Sequence, residues 1–259
     1  MERRGRLAVA AEAERRGRLA VAAVVPRTGA AAVRGGGRFV TASTVKVDLV
    51  AALLLRAGGV ERLTGAERES ARAAIVRSDN ASASELYERV GGADGLDAAY
   101  RALGLPETTA GRDGYWGLTT TTAGDRVRLL RRIFTAGDPR ALPGRAWLAG
   151  LMREVVPAQV WGVSAAGATA LKNGWLPRTA TGLWVVDSLG ARPDGTLVAV
   201  LSDGWPDLAA GVSAVEAAAR RAVAAIGGPS GSGGSGEGGG AAGPEGGGAD
   251  SGAFGSTAR

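Results

Sequence analysis

From Thr44 to Arg56 the chain reads TVKVDLVAALLLR, a segment that is apolar on nearly every side of a helix. A helix with one apolar stripe can rest on a single surface, but a helix apolar all round has to be enclosed. With 259 residues, 45% of them hydrophobic, the chain has enough material to build one sizeable core around it. The longest uninterrupted apolar run, Leu49–Leu55, is far shorter than the about 20 residues a membrane span needs. The medium that encloses this helix is therefore protein.

The flanking sequence supplies the enclosing layers. Arg18–Val25 and Ala31–Val33 read as a hairpin around Pro26–Gly29. Helices are expected at Gly65–Arg77, Ala81–Val90 and Asp94–Leu103, with Gly91-Gly92 as a stop signal. Thr122 is placed to cap a helix running to Phe134, with Asp125 in its first turn, and a further helix covers Gly144–Val155. Strand patterns return at Ala168–Asn173, Gly182–Leu189 and Thr196–Ser202, with Pro193-Asp194-Gly195 as a turn. An Ala-rich helix over Leu208–Ile226 follows. Strands at both ends with helices between predict a mixed α/β (α+β) fold. One sheet takes its strands from residues 18–40 and 168–203. An all-helical lobe, about 44–155, is inserted between them and leaves a cleft.

The ends are read separately. Glu2–Ala11 and Glu14–Ala23 are the identical decapeptide ERRGRLAVAA, a single duplication rather than a solenoid, so residues 1–17 are expected to be an arm outside the core. The apolar run Leu7–Ala11 falls short of the about 7–15 residues of a signal-peptide core, so no export signal is assigned. Residues 227–259 are about half Gly and are expected to form a flexible tail, leaving 18–226 as the folded domain.

Absences narrow the chemistry. The chain has no Cys and no His, which removes Cys nucleophiles, the Ser-His-Asp triad, thiolate zinc sites and imidazole ligands. No metal or organic cofactor is implied. The net charge of +6 is carried almost wholly by Arg interleaved with Glu and Asp, which reads as a solvated surface. No basic stripe with interleaved aromatics is present, so no nucleic-acid partner is expected. A small-molecule substrate is the expected partner, with a monomer as the default.

Three short segments carry possible chemistry. In Ser43-Thr44-Val45-Lys46, the serine sits where the enclosed helix begins, among free backbone N–H groups that favour a developing oxyanion. Lys46, three residues on, shares its helix face. A lysine in an apolar helix is desolvated, which lowers its pKa toward that of a usable base. The ordinary alternative is a capping serine and a lysine that reaches out to water. In Ser78-Asp79-Asn80, between two helices, Ser78 offers a proton relay and Asn80 an amide for a substrate carbonyl or for Lys46. The alternative is a helix cap. In Lys172-Asn173-Gly174, at the end of an expected strand, Lys172 offers a cation for a substrate carboxylate and Gly174 a close approach to the strand edge. The N–H of Trp175 is a second oxyanion donor. The alternative there is a strand-end turn.

Composition separates these readings. The chain holds two Lys and two Asn, and all four fall inside these three segments. They remain where a deprotonatable amine or a carboxamide is chemically needed.

The order S-x-x-K, S-D-N, K-x-G resembles class A β-lactamases and the related penicillin-binding proteins. The flanking residues Phe39–Lys46, Ser78–Ser82 and Leu171–Pro177 are similar to actinobacterial β-lactamase-like serine hydrolases. The resemblance covers about Arg18–Ile226. It implies a β-lactamase/transpeptidase-like fold, an antiparallel sheet flanked by helices plus the helical lobe, and an extracytoplasmic setting. By that match Ser43 is the acylated nucleophile, Lys46 a general base and Ser78 the proton shuttle. Asn80 is a substrate-amide contact. Lys172 anchors a carboxylate, with Asn173, Gly174 and Trp175 completing the substrate edge.

Two departures stand out. Asn173 replaces the Thr or Ser that the pattern carries before its Gly. The E-x-x-L-N segment, whose Glu activates the deacylating water in class A enzymes, is missing. The corresponding stretch reads Gly111-Arg112-Asp113-Gly114-Tyr115-Trp116-Gly117-Leu118, and Glu107 and Asp113 are the only acids nearby. The interval from Ser43 to Ser78 is also compressed, which implies a trimmed helical lobe. Three readings therefore stay open at this point. They are a hydrolase of β-lactams or related acyl compounds, an acylating but slowly deacylating D-alanyl carboxypeptidase, transpeptidase or esterase, and a non-enzymatic binding module.

Overall fold

The computed structural model describes residues 17–227; the rest of the duplicated arm and of the Gly-rich tail lie outside the described residues. The strands are β1 (Arg18–Val24), β2 (Ala31–Arg34), β3 (Phe39–Val40), β4 (Thr120–Thr121), β5 (Ala170–Pro177), β6 (Trp184–Ala191) and β7 (Leu197–Asp203). The α-helices are α1 (Val45–Ala57), α2 (Gly65–Arg72), α3 (Asn80–Arg89), α4 (Gly92–Leu103), α5 (Ala123–Phe134), α6 (Arg145–Arg153) and α7 (Leu208–Gly227). Five strands form one sheet in the order β2-β1-β7-β6-β5, antiparallel throughout. The sheet therefore joins N-terminal and C-terminal strands, with the helical segment inserted between, as the sequence pattern implies. β3 and β4 form a separate two-stranded ladder too short for its sequence to announce.

The sheet is buried on both faces, and the strand alternation shows how. Ala20 and Ala22 of β1, with Leu197, Ala199 and Leu201 of β7, join the core shared with the helical lobe. Val21 and Ala23, with Val198 and Val200, join a second core that includes Val215, Ala218, Ala219 and Ala222 of α7. Two apolar faces explain why these strands read as nearly continuous apolar runs.

α1 is enclosed as its composition requires: every residue from Val45 to Leu54 is buried. A left-handed Gly58 ends it, donating to the carbonyls of Leu54 and Leu55. The one acid inside this stretch, Asp48, pairs with Arg126 of α5 at 2.6 and 2.8 Å, both side chains fully buried. Tyr100 donates to Asp48 at 3.2 Å, and Arg126 donates to Thr121 and Thr108. This network ties α1 to α4, α5 and the 104–122 connection.

Two boundaries differ from the sequence reading. The expected Gly65–Arg77 helix is α2 followed by a π-helical turn, Ala73–Arg77, which ends on Ser78 in the left-handed region at φ 58°. Such widened turns commonly mark functional sites. The strand expected to end at Asn173 continues to Pro177, so Lys172–Gly174 lie within β5 rather than at its end. β5 is an edge strand, so Pro177 has no outer ladder to break, and pairing with β6 outweighs the local breaker residues. No helix among the described residues is long and apolar enough to cross a membrane.

Candidate active site

The nucleophile candidate lies on a tight turn. Ala42–Thr44 form one turn of 3-10 helix feeding α1, and Ala42 is held at φ 44°, an uncommon conformation for a residue with a Cβ. Together with Ser78, this puts two of the three left-handed non-glycine residues of the described chain beside the three motifs. Strain of this kind persists only where the surroundings hold it in place. Here the holder is β5. A Cβ built on Gly174 would lie 2.7 Å from the Thr41 carbonyl oxygen and 2.9 Å from the Ser43 nitrogen, so only glycine lets strand and turn meet this closely. A 3-10 turn at Trp116–Leu118 packs against the same turn from the lobe side.

Lys46 is fully buried and does not reach for water. Its Nζ donates to the Ser78 carbonyl oxygen at 2.6 Å and to Asn80 Oδ1 at 2.7 Å. It also stands 3.1 Å from Ser43 Oγ and 3.1 Å from Ser78 Oγ. The two shortest contacts are to atoms that can only accept. A neutral amine has two donors and one lone pair, so those contacts fix its N–H groups and leave the lone pair for a hydroxyl proton. Burial pushes the Lys46 pKa down to about 8, while the charge of Asp79 opposes that shift. The Trp116 ring lies 5.2 Å from Nζ, within cation–π range, yet burial remains the larger influence on the amine.

Ser78 lies between two amines, with Lys172 Nζ 2.9 Å from its hydroxyl. Lys172 is fully buried on β5 and also donates to the Asn173 carbonyl at 3.0 Å. Burial first, and the nearby Lys46 second, lower its pKa well below that of an ordinary lysine. The capping and the functional readings of the second motif both hold, on different residues. Asp79 caps α3 by accepting from the Ser82 N–H at 2.7 Å, which turns Ser78 and Asn80 toward Lys46.

Ser43, Lys46, Ser78, Asn80 and Lys172 are thus brought into one hydrogen-bonded cluster, and Gly174 is packed against it. Asn173 is not. Its Nδ2 donates to the carbonyls of Gln159 and Trp161 at 2.8 and 3.1 Å, and it is fully buried. Strand alternation puts it on the opposite face from Lys172 and Gly174, where it pins the 157–161 segment in place of the expected substrate contact. Trp175 shares that face, its ring packed on Trp161 at 5.8 Å.

The two weak base candidates are also placed elsewhere. Glu107 accepts from Thr122 at 3.1 Å and stands 3.8 Å from Arg128, at the start of α5. Asp113 is exposed on a left-handed turn, at φ 54°. Among the described residues, no carboxylate hydrogen-bonds to Ser43, Lys46, Ser78 or Lys172. The Trp116 ring covers Lys46, and its Nε1 donates to Ser84 of α3 at 3.1 Å. Sequence reasoning searched this loop for an acid and passed over its indole. The signal available was a lone Trp amid small and polar residues.

With this geometry in view, similarity to known proteins can be placed. A family model described as the β-lactamase enzyme family matches residues 66–180. A variant of the last common ancestor of Gram-negative bacteria class A β-lactamase is 25% identical, with a TM-score of 0.64 over 83% of this chain and 96% of that one. The β-lactamase of Desulfarculus baarsii is 22% identical, with a TM-score of 0.64 over 85% and 96%. A β-lactamase from Streptosporangium roseum is 22% identical, with a TM-score of 0.63 over 83% and 96%. No curated protein matches the chain by sequence. Residues 66–180 thus match the β-lactamase enzyme family, and the fold of the described chain is similar to that of class A β-lactamases.

Proposed function

We propose that the protein opens a β-lactam or related acyl donor by acylation of Ser43 and then hydrolyses the resulting ester. The observation that carries this reading is the Lys46 amine, bound to two pure acceptors and 3.1 Å from the Ser43 hydroxyl. Lys46 takes the Ser43 proton as Oγ attacks the carbonyl carbon. The Ser78 hydroxyl, 3.1 Å from Lys46, relays a proton to the leaving nitrogen as the C–N bond breaks. Lys172 supports that relay by donating to Ser78. The backbone N–H groups of Ser43 and Trp175 hold the oxyanion, and Asn80, exposed beside Lys46, offers its amide to the substrate. Water then cleaves the ester and returns Ser43. A chromogenic cephalosporin tests this: the protein turns it over, and Ser43→Ala does not. Equal turnover by both would refute the assignment.

One observation favours a second feature, slow release of the acyl group. Among the described residues no carboxylate hydrogen-bonds to Ser43, Lys46, Ser78 or Lys172, and an indole covers Lys46. A positioned base is worth about 10²–10⁴-fold, so its absence leaves the ester long-lived unless Lys46 itself activates water.

A further inference from the structure

The interleaving of Arg with acids that covers much of the surface fails along one stretch. Residues 126–140 hold five Arg and one acid, Asp138. Arg126 is used inside the protein, on Asp48. The other four, Arg128, Arg131, Arg132 and Arg140, line one open pocket of about 510 Å³ together with Asp138 and Gly104. That pocket shares no lining residue with the cluster around Ser43.

Two of these four guanidinium charges are already matched. Arg128 donates to Asp125 at 2.6 Å and stands 3.8 Å from Glu107. Arg132 donates to Asp138 at 2.6 Å and to the Leu103 carbonyl, at the end of α4, at 3.1 Å. Asp138 also accepts from the Arg140 backbone N–H at 2.8 Å, which fixes the loop that carries Arg140. Arg131 and Arg140 are exposed, and neither guanidinium has a hydrogen-bond partner among the described residues. Gly104 lets the groups converge. It sits at φ 73°, and a Cβ built on it would lie 2.8 Å from Arg140 Nη1 and 3.5 Å from Arg132 Nη2. Two guanidinium groups from different elements thus meet over one bare backbone position, where like charges repel unless an anion joins them. The dipole at the end of α5 favours cations and accounts for Arg131 and Arg132 in its last turn. It does not account for Arg140, which arrives from a loop.

We propose that this pocket is an anion site, separate from the acylation site, that takes the phosphate group of a small soluble molecule. Guanidinium forks present paired N–H donors that match phosphate oxygens, and a doubly charged group answers the two unmatched cations, Arg131 and Arg140. The pocket volume falls within the about 300–1,000 Å³ of small-molecule sites, which leaves room for a second phosphate or an organic remainder. The proposal does not depend on Ser43 acylation.

The test titrates the full-length protein with pyrophosphate at an ionic strength held constant with sodium chloride, and reads the melting temperature. The expected result is a saturable rise, reaching about 5–10 °C once pyrophosphate stands about 100-fold above half-saturation. The Arg131→Ser, Arg140→Ser double variant alters only exposed positions and should bind pyrophosphate at least about tenfold more weakly by calorimetry. Arg27→Ser, an exposed arginine of the β1–β2 turn, should bind it as the unaltered protein does. No rise beyond the chloride control, or equal affinity in the double variant and the unaltered protein, overturns the proposal. Binding to phosphatidic acid vesicles without a response to pyrophosphate would move the phosphate to a lipid surface and overturn the soluble ligand.

Discussion

The Lys46 amine stands 3.1 Å from the Ser43 hydroxyl while its two shortest hydrogen bonds go to the Ser78 carbonyl and the Asn80 side-chain oxygen. The pair is preset for proton transfer, and its protonation state sets the rate. Burial lowers the Lys46 pKa to about 8. At pH 7 roughly one amine in ten is then neutral, against about one in three thousand for an ordinary lysine. Because the neutral form is the base, acylation should rise with pH through about 8 and level off above it. A profile that falls across this range would contradict the role. Lys46→Arg should be inactive at every pH, since a guanidinium does not deprotonate.

The Trp116 ring, 5.2 Å from the Lys46 amine, is the side chain whose removal tests how burial lowers that pKa. In Trp116→Ala, water reaches the amine, the desolvation cost weakens, and the Lys46 pKa moves up toward its ordinary 10.5. The rising limb of the pH–rate profile should shift to higher pH, so acylation at neutral pH slows while the plateau at high pH is largely kept. An unshifted midpoint would show that the indole does not set the environment of the amine.

That no carboxylate among the described residues hydrogen-bonds to Ser43 has a kinetic signature. A chromogenic donor should give a burst approaching one equivalent per protein, followed by a slow steady state. Hydroxylamine, which needs no activation, should accelerate that slow phase. A linear trace from the first turnover, indifferent to hydroxylamine, would mean that deacylation is not limiting.

Asn173 acts on stability before it acts on substrate. Asn173→Ala leaves the carbonyls of Gln159 and Trp161 without its donors in a buried site, a loss of about 1–3 kcal/mol for unsatisfied buried groups. Urea unfolding should report this, with the Lys46 midpoint in the pH–rate profile unmoved. A direct substrate contact would instead raise KM at unchanged stability.

The Asp48–Arg126 pair makes a separate prediction. Removing one partner strands a buried ion, so Arg126→Met should cost about 3–5 kcal/mol. Pairing it with Asp48→Leu should recover much of that loss, because two apolar side chains of similar bulk no longer carry a desolvation penalty. Additive losses in the double variant would mean that the surrounding Tyr100 and Thr121 hydrogen bonds, rather than the ion pair, dominate the site.

What the sequence revealed, and what it hid, follows from the range of each interaction. The enclosed α1 was legible because no polar face exists between Val45 and Leu54 apart from Lys46 and Asp48. The motif residues were legible because Lys and Asn survive nowhere else in an Arg-, Ala- and Gly-rich chain. The role of Asn173 was not, because a motif position says nothing of which strand face meets solvent. That depends on β5 running on to Pro177 and on the 157–161 segment folding over it. Nor was Trp116, whose meaning depends on a contact with Lys46, seventy positions earlier in the chain. The partner of Asp48 was hidden for the same reason, since Arg126 is one of many arginines until the fold selects it.

The most direct test of the central claim is the site of covalent attachment. The protein is incubated with an acyl donor, quenched in acid and digested with trypsin. Cleavage after Arg38 and Lys46 releases Phe39–Lys46 as one short peptide, in which fragmentation separates Ser43 from Thr41 and Thr44. The account expects the added acyl mass on Ser43 alone, and none in Ser43→Ala. An acyl mass on another residue, or one that persists in Ser43→Ala, would contradict it.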